Sequence, residues 1–215
     1  MNVIAINGSP RKRWNTATLL EKALEGAASK GAATEMVHLY DLNYKGCTSC
    51  FSCKLKNGES YGKCAMKDDL TPLLSRIATV DGLLLGTPIY VGTGTGEMRS
   101  FLERLVFPNL AYTNPPTSLF PRKLRVGLIF TFGATAEQAS LMGFDKHVAM
   151  TQGLMARIFG EAASVCSYDT LQFDDYEKYF APRFDPSQKL ARRREVFPQD
   201  CDEAFAMGTR LIAGV

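Results

Sequence analysis

Short apolar runs alternate with amphipathic helical segments along this chain, and the alternation limits the possible folds more than any other feature. Residues 3–6 form a continuous apolar run that stops at Asn7, which is typical of a buried parallel strand followed by a tight turn. Apolar residues then recur at spacings of three and four over residues 16–27, which predicts an amphipathic helix that stops near Gly31. A strand, a tight turn and a helix in this order begin a βαβ unit.

The same alternation continues towards the end of the chain. Further strands are predicted at residues 36–40, 80–87, 124–131 and 162–168. Further helices are predicted around residues 70–77, 98–105, 141–159 and 200–213. Five strands that alternate with helices predict an α/β three-layer sandwich, in which a five-stranded parallel sheet carries helices on both faces. A ligand-binding turn after the first strand favours the flavodoxin-like strand order 2-1-3-4-5.

Composition excludes several broad classes of protein. The 215 residues suit one domain over residues 1–215, and 46% apolar with 22% charged residues excludes a disordered, collagen-like or coiled-coil chain. The net charge of +3 is too small to indicate nucleic acid or a membrane surface as a partner. The basic residues 11–13 follow the first apolar run, unlike those of a secretory signal, so we expect a cytoplasmic protein with reduced thiols.

Two segments lie outside the minimal alternation of strands and helices. Residues 41–67 form a long connection rich in Cys, Gly and Lys, and residues 170–198 are rich in aromatic and charged side chains. We expect the second segment to be an arm, a lid or a dimer contact. The three arginines at 192–194 within it are expected to form a solvated helix face.

The turn after the first strand has the composition of an anion-binding loop. It reads Gly8-Ser9-Pro10-Arg11-Lys12-Arg13-Trp14-Asn15-Thr16. Neutral donors on Ser9, Asn15 and Thr16 would add to the unpaired backbone N–H groups and partial positive charge of a helix N-terminus. Arg11 adds a guanidinium that can bind two phosphate oxygens at once, and Arg13 is a possible extra contact. The alternative is an ordinary turn with an Asn or Thr cap and solvated basic residues.

The predicted third strand ends in Gly86-Thr87-Pro88-Ile89-Tyr90-Val91-Gly92, close to the first turn in a doubly wound sheet. Ile89 and Tyr90 offer an apolar and aromatic wall. Pro88 restricts the backbone, and the N–H groups that follow it are expected to be free to meet a ligand. Gly92 opens a flexible turn that lets a ligand approach.

Two neighbouring positions are assigned on weaker signals. Thr95 is expected to cap the helix that follows the Gly92 turn. Residues 131–134, after the fourth strand, lie at the same edge of the sheet and could form a third ligand-lining loop or a plain turn.

Four cysteines are spaced as Cys47-x2-Cys50-x2-Cys53-x10-Cys64, between the second strand and the second helix. Three sulfurs on one tight loop suit an iron–sulfur cluster or zinc. Free thiols or a redox pair are the other alternative. The nearby lysines are expected to lower the thiol pKa values; they are Lys54, Lys56 and Lys63.

The first turn and the third strand end together resemble the NADPH-dependent FMN reductase family of the flavodoxin-like superfamily. The resemblance implies that Ser9, Arg11, Asn15 and Thr16 hold the 5′-phosphate of FMN. It also implies that the stretch from Pro88 to Gly92, including Ile89 and Tyr90, lines the isoalloxazine.

The cysteine motif resembles that of iron–sulfur flavoproteins, which carry a [4Fe–4S] cluster beside FMN. The resemblance implies Cys47, Cys50, Cys53 and Cys64 as metal ligands. The ten residues before Cys64 depart from the family pattern, in which the fourth cysteine lies closer. The extra loop length costs only about a fraction of a kcal/mol in closure entropy. A flexible loop could therefore still bring Cys64 back to the other three cysteines.

These resemblances imply an NAD(P)H-dependent oxidoreductase that passes electrons through FMN to a small-molecule or protein acceptor. No side chain need act as an acid or base, so no catalytic residue is assigned. One alternative is an electron carrier with FMN and [4Fe–4S], and another is a non-catalytic flavodoxin-fold module with zinc in the cysteine loop. The family resemblance also implies a homodimer or a dimer of dimers, without nucleic acid or membrane partners.

Overall fold

The computed structural model describes residues 1–213 and contains one five-stranded parallel sheet. Its strands are β1 (Asn2–Asn7), β2 (Ala33–His38), β3 (Gly82–Pro88), β6 (Leu124–Thr131) and β7 (Gly160–Ser167). Two short strands, β4 (Leu110–Ala111) and β5 (Thr117–Ser118), form a separate antiparallel pair. The sheet order is β2-β1-β3-β6-β7, so the predicted order 2-1-3-4-5 is confirmed when only the strands of the main sheet are counted.

Seven α-helices are assigned within the described residues. They are α1 (Asn15–Ala28), α2 (Leu70–Ile77), α3 (Gly96–Val106), α4 (Ala136–Leu141), α5 (Phe144–Phe159), α6 (Pro186–Glu195) and α7 (Phe197–Ile212). Short 3-10 turns lie at Leu39–Asp41, Ser52–Lys54, Phe107–Asn109 and Tyr176–Lys178. Over residues 1–213, no helix is long and apolar enough to span a bilayer.

Alternate residues of each strand supply the two hydrophobic cores, one on each face of the sheet. In β1, Ile4 and Ile6 pack with the apolar faces of α2, α3 and α5. Val3 and Ala5 pack with α1 and α7 on the opposite face. Because both faces are covered, the central strands β1, β3 and β6 are mostly buried along their length rather than alternately buried and exposed.

Three local features differ from the sequence expectations. The second strand ends at His38, and the residues predicted to continue it form the 3-10 turn Leu39–Asp41. The helix predicted over 141–159 begins only at Phe144, because Gly143, with a φ of +74°, separates α5 from the unpredicted helix α4 that ends at Leu141. Helix α6 occupies ten residues of the segment 170–198, where only a helix face at residues 192–194 was expected, without helix bounds.

Helices α1 and α7 lie against each other with their backbones in close contact. A Cβ built on Gly208 would lie 1.7 Å from the carbonyl oxygen of Ala23. A Cβ on Gly26 would lie 2.0 Å from the carbonyl oxygen of Phe205. Both positions therefore require glycine. The clash would be with backbone atoms, so it could not be relieved by moving a side chain.

Gly208→Ala is expected to lower the free energy of unfolding by at least about 2 kcal/mol, because overpacking against a backbone forces the helices apart. Gly153→Ala is the matched control, since Gly153 is an exposed position in α5 with no atom within 4 Å of the added Cβ. That control should gain about 0.5–1 kcal/mol from the better helix former. Urea unfolding measures both changes, and equal stability of Gly208→Ala and wild type would contradict the close helix contact.

Candidate functional site

A cleft at the carboxyl edge of the sheet joins the two regions that the sequence marked as ligand-binding. β1 and β3 are neighbours, and the N–H of Gly8 donates to the carbonyl of Gly86 at 2.8 Å, so the turns after both strands meet. Four segments line the cleft: Ser9, Arg11, Trp14, Asn15 and Thr16; Pro88, Ile89 and Tyr90; Thr131 and Gly133; and Thr170, Leu171 and Gln172. The loop after the fourth strand of the main sheet therefore borders the cleft as well.

The first turn is shaped by short-range hydrogen bonds to side chains. Buried Asn7 accepts from the N–H of Ser9 at 2.9 Å, and the hydroxyl of Ser9 accepts from the N–H of Arg11 at 3.1 Å. At the start of α1, the hydroxyls of Thr16 and Thr131 lie 2.8 Å apart. Hydrogen bonds of neutral side chains therefore set the geometry of this loop.

The N-terminus of α1 has no side-chain cap. Trp14 occupies the N-cap position, and its indole has only a donor, which cannot accept from the helix N–H groups and donates at 3.0 Å to the carbonyl of Leu171. The first backbone N–H groups of a helix have no partner within the helix. Together with the hydroxyl, amide and guanidinium groups around it, this N-terminus forms a donor set that suits a phosphate.

Two backbone carbonyls from the segment 170–198 hold the donors of the first turn. Leu171 accepts from the amide of Asn15 at 2.9 Å, and Gln172 accepts from the guanidinium of Arg11 at 2.6 Å. An asparagine amide has two N–H donors and an arginine has five. Each contact therefore orients its side chain and leaves further donors for a ligand.

The backbone at the end of β3, beside the cleft, differs from one expectation. The N–H groups after Pro88 were expected to be free, but Ile89 donates to Thr131 at 2.9 Å and Tyr90 donates to Thr93 at 2.7 Å. The reason is that the chain continues its pairing with β6 for one residue and then folds into a tight turn. The side chains of Ile89 and Tyr90 still line the cleft.

Two of the predicted site residues do not line the cleft. Arg13 is exposed outside it, and Gly92 lies in the tight turn beside it with a φ of +86°. Thr95 caps α3 as predicted, accepting from the N–H of Met98 at 3.3 Å. Its hydroxyl also lies 2.6 Å from the carbonyl of Gly8, which joins the start of α3 to the first turn.

Sequence reasoning missed the cleft residues that come from distant parts of the chain. Trp14 was visible in the loop but gave no signal of its own, and residues 170–172 carry no motif. Arg193 was expected to be solvated, but it is half-buried and its guanidinium donates at 3.0 Å to Oδ1 of Asn15. Only the tertiary structure brings these groups together, through the contacts of residues 171 and 172 and of Arg193 with the first turn.

The four cysteines of the motif border one small cavity, together with Glu103 and Arg104 from α3. Cys53 is buried, Cys64 is half-buried, and Cys47 and Cys50 are exposed. Residues 49 and 51 between the first three cysteines have positive φ angles of 54° and 56°. In the described part of the chain, no three His, Cys, Asp or Glu side chains are gathered around a single metal-ion position.

Arg104 fastens both ends of the cysteine loop. Its side chain is fully buried, and it pairs with the carboxylate of Asp68. Its Nε donates to the sulfur of Cys64 at 3.3 Å, and Nη1 donates to the carbonyl of Lys45 at 3.1 Å. One guanidinium thus joins the chain before Cys47 to the chain around the last cysteine of the motif.

The thiol pKa values follow local hydrogen bonds and burial more than the lysines. Hydrogen bonds from the backbone and side chain of Ser52 lower the pKa of the Cys50 thiol. Burial raises the pKa of the Cys53 thiol by more than the positive charge of Lys54 lowers it. The expectation that nearby lysines lower the thiol pKa values is therefore wrong for Cys53, because desolvation of the thiolate outweighs the attraction.

The fold and the cleft define a flavodoxin-like α/β protein whose ligand cleft lies at the carboxyl ends of the strands. Residues 1–178 match the model of the NADPH-dependent FMN reductase family, and the chain belongs to that family.

The matched relatives are named iron-sulfur flavoproteins. An iron-sulfur flavoprotein of Methanocaldococcus jannaschii is 36% identical over 104 residues, which are 48% of this chain and 51% of the relative. The chain thus spans about half the length of the curated relatives it matches first.

Two solved structures share the fold across nearly the whole chain. An NAD(P)H:quinone oxidoreductase from Methanothermobacter marburgensis has a TM-score of 0.69 at 16% identity and covers 98% of both chains. An FMN-dependent NADH-azoreductase from Bacillus anthracis, solved in complex with FMN, has a TM-score of 0.64 at 11% identity and covers 98% of this chain and 99% of its own.

The pairing of Arg104 with Asp68 predicts a pH-dependent contribution to stability. Burial acts to raise the pKa of Asp68, but the hydrogen bond and charge of Arg104 outweigh it and hold that pKa below its ordinary value. A carboxyl with a lowered folded-state pKa stabilises the fold above its unfolded pKa of about 4, and the contribution is lost as the pH falls through the folded value.

Asp68→Asn is therefore expected to lower the free energy of unfolding by about 3 kcal/mol at pH 7, since it leaves a buried guanidinium without its counter-charge. The difference from wild type should shrink as the pH falls below about 4. Denaturant unfolding at several pH values measures it, with the exposed Asp202→Asn as the control. A difference that stays constant down to pH 2 would contradict the assignment.

Proposed function

We propose that this chain is an FMN-binding oxidoreductase that takes electrons from NAD(P)H and passes them to an acceptor that is still to be identified. The observation that carries the proposal is a single cleft with phosphate donors at one end and an apolar, aromatic wall at the other. Family membership and the names of the two solved structures support FMN as the cofactor and NAD(P)H as the electron donor.

The phosphate end has the chemistry that FMN needs. Ser9, Arg11, Asn15 and Thr16 supply donors of both neutral and charged type around the uncapped N-terminus of α1. A phosphate held there would gain charge-assisted hydrogen bonds and the favourable end of the helix dipole. In this proposal Arg13 has no direct contact, because it is exposed outside the cleft.

The ring end positions the cofactor and leaves the chemistry to it. The isoalloxazine supplies the two-electron redox chemistry when FMN is bound. Ile89 and Tyr90 would pack against the ring and exclude water from one side, while Thr131 and Gly133 border the middle of the cleft. The Tyr90 side chain is 42% exposed, so this wall remains open to a second planar molecule.

An electron carrier with FMN and a [4Fe–4S] cluster is the second candidate function. It is favoured by the cavity that all four cysteines of the motif border, and by the iron-sulfur flavoprotein name of the matched relative. A cubane cluster spaces its four cysteine sulfurs more widely than one ion spaces its ligands. Helix α3 connects the two regions: Thr95 touches the first turn, and Arg104 lies roughly 14 Å further along at a rise of 1.5 Å per residue.

We also propose that the chain forms a homodimer or a dimer of dimers. Large apolar side chains remain exposed on the surface of the single chain, among them Val91, Leu141, Met150 and Phe180. Exposed apolar groups of this size are typical of contact surfaces when they lie together. Sedimentation velocity of the purified chain measures the assembly directly.

The function is tested by the visible spectrum of protein purified without air and then mixed with NADPH or NADH. We expect two resolved flavin bands that either nucleotide bleaches within seconds to minutes. Iron and acid-labile sulfide in equal amounts, with a broad absorption that dithionite bleaches, would support the electron carrier. Bound zinc with no bleaching of added FMN would overturn the oxidoreductase and support a non-catalytic module.

Arg11→Ala is expected to weaken FMN binding by about 1.5–3 kcal/mol, the size of a hydrogen bond to a charged group. Arg13→Ala is the matched control, because it removes the same charge two residues away but outside the cleft. Quenching of flavin fluorescence on titration measures both affinities. Equal losses in the two variants would show a general charge effect and contradict the placement of the phosphate.

A further inference from the structure

Helix α6 reaches the phosphate end of the cleft from beyond the segment that matches the family. The family match ends at residue 178, and α6 begins at Pro186. From this helix, Arg193 donates through Nη1 to Oδ1 of Asn15 at 3.0 Å. The two residues are 178 positions apart in the chain.

Arg193 is fixed by its surroundings rather than extended into solvent. Its guanidinium lies 3.8 Å from the ring centroid of Phe197, which is buried at the start of α7. A cation over an aromatic ring is attracted by the negative face of the ring. The side chain therefore has one preferred position, and that position is against Asn15.

The helix that carries Arg193 is itself held against the sheet. Lys189 is buried, donates to the carbonyl of Gly133 at 2.9 Å and pairs with Asp169. One turn further on, Arg192 donates to Asp200 at 2.5 Å. These contacts hold α6 against the loops that follow β6 and β7 and against α7.

The contact with Arg193 acts together with the contact to Leu171 in determining which way the Asn15 amide faces. Arginine has only donors, so the group of Asn15 that faces Arg193 must be the carbonyl oxygen. The amide nitrogen then faces the cleft, where one N–H is held by Leu171 at 2.9 Å. The second N–H remains available to a ligand, and a phosphate accepts only from donors.

We propose that Arg193 is a positioning residue for the phosphate end of the cleft, which makes the site select phosphorylated flavin over riboflavin. Arg193 acts through Asn15, because it keeps the amide oxygen away from the phosphate and the amide N–H towards it. The proposal rests on the proposed function, since it takes FMN as the ligand of this cleft.

The test compares the affinities for FMN and riboflavin, which differ only by the phosphate. Fluorescence titration of the full chain gives both dissociation constants and their ratio. Arg193→Gln should reduce the preference for FMN about tenfold, because glutamine can both donate and accept and no longer fixes the amide. Affinity for riboflavin should stay unchanged, whereas a loss of folding would weaken both ligands.

Two further variants separate positioning from charge. Arg193→Lys keeps a side chain with donors only and should retain most of the preference for FMN. Arg194→Gln removes the same charge from the exposed neighbouring residue of α6 and should leave the preference unchanged. In the background of Asn15→Ala, Arg193→Gln should have no further effect, because the interaction it acts through is already absent.

The outcomes distinguish the two levels of the proposal. A wild-type chain that binds FMN and riboflavin equally well would overturn the phosphate site itself. A wild-type chain that prefers FMN, with the same preference in Arg193→Gln, would overturn the role of Arg193 alone. Additive losses in the double variant would also overturn it, since they would show that Arg193 acts independently of Asn15.

Discussion

The parallel pairing of β1 with β3 is the interaction on which the position of the cleft depends. Their register places Asn7 opposite Gly86, so both strands deliver their following turns to the same edge of the sheet. The hydrogen bond between Gly8 and Gly86 then joins the two turns directly. Because β6 pairs with β3 on its other side, the loop after β6 reaches the same cleft.

Buried cations attach the irregular segments to this regular framework. Arg104 closes the cysteine loop through Asp68, and Lys189 attaches α6 through Asp169. Each pair satisfies the cation with backbone carbonyls as well as a carboxylate, which offsets the cost of removing the charge from water. Long segments without a core of their own are thus held by a few strong polar contacts, while the sheet is held by apolar packing.

The sheet and the first turn could be predicted because their signals are local. Apolar periodicity predicts the strands and helices of the sheet region, and the composition of one short loop predicts the first turn. The Thr95 cap also could be predicted from residues next to it in the sequence. The break at Gly143 was missed, although a glycine inside a helical pattern is a signal for such an interruption. The role of Arg193 had no sequence signal, since a triple arginine on a polar helix indicates a solvated face until tertiary packing is known.

The end of β3 shows a second limit of sequence reasoning. Pro88 indicates the end of a strand, but the N–H of Ile89 is still used by the pairing with β6. Whether a backbone group is free depends on the neighbouring strand, and the sequence of one strand does not report it. The wall formed by side chains was therefore easier to predict than the hydrogen bonds of the backbone beside it.

The contact between Asn15 and Arg193 also has a consequence for the order of events during synthesis. Asn15 of the first turn is synthesised before its partner on α6, which is added 178 residues later. At about 5–20 residues per second, roughly 10–40 seconds separate the two. A nascent chain therefore carries the donors of the first turn before it carries Arg193, and the cleft is completed only after α6 has been synthesised.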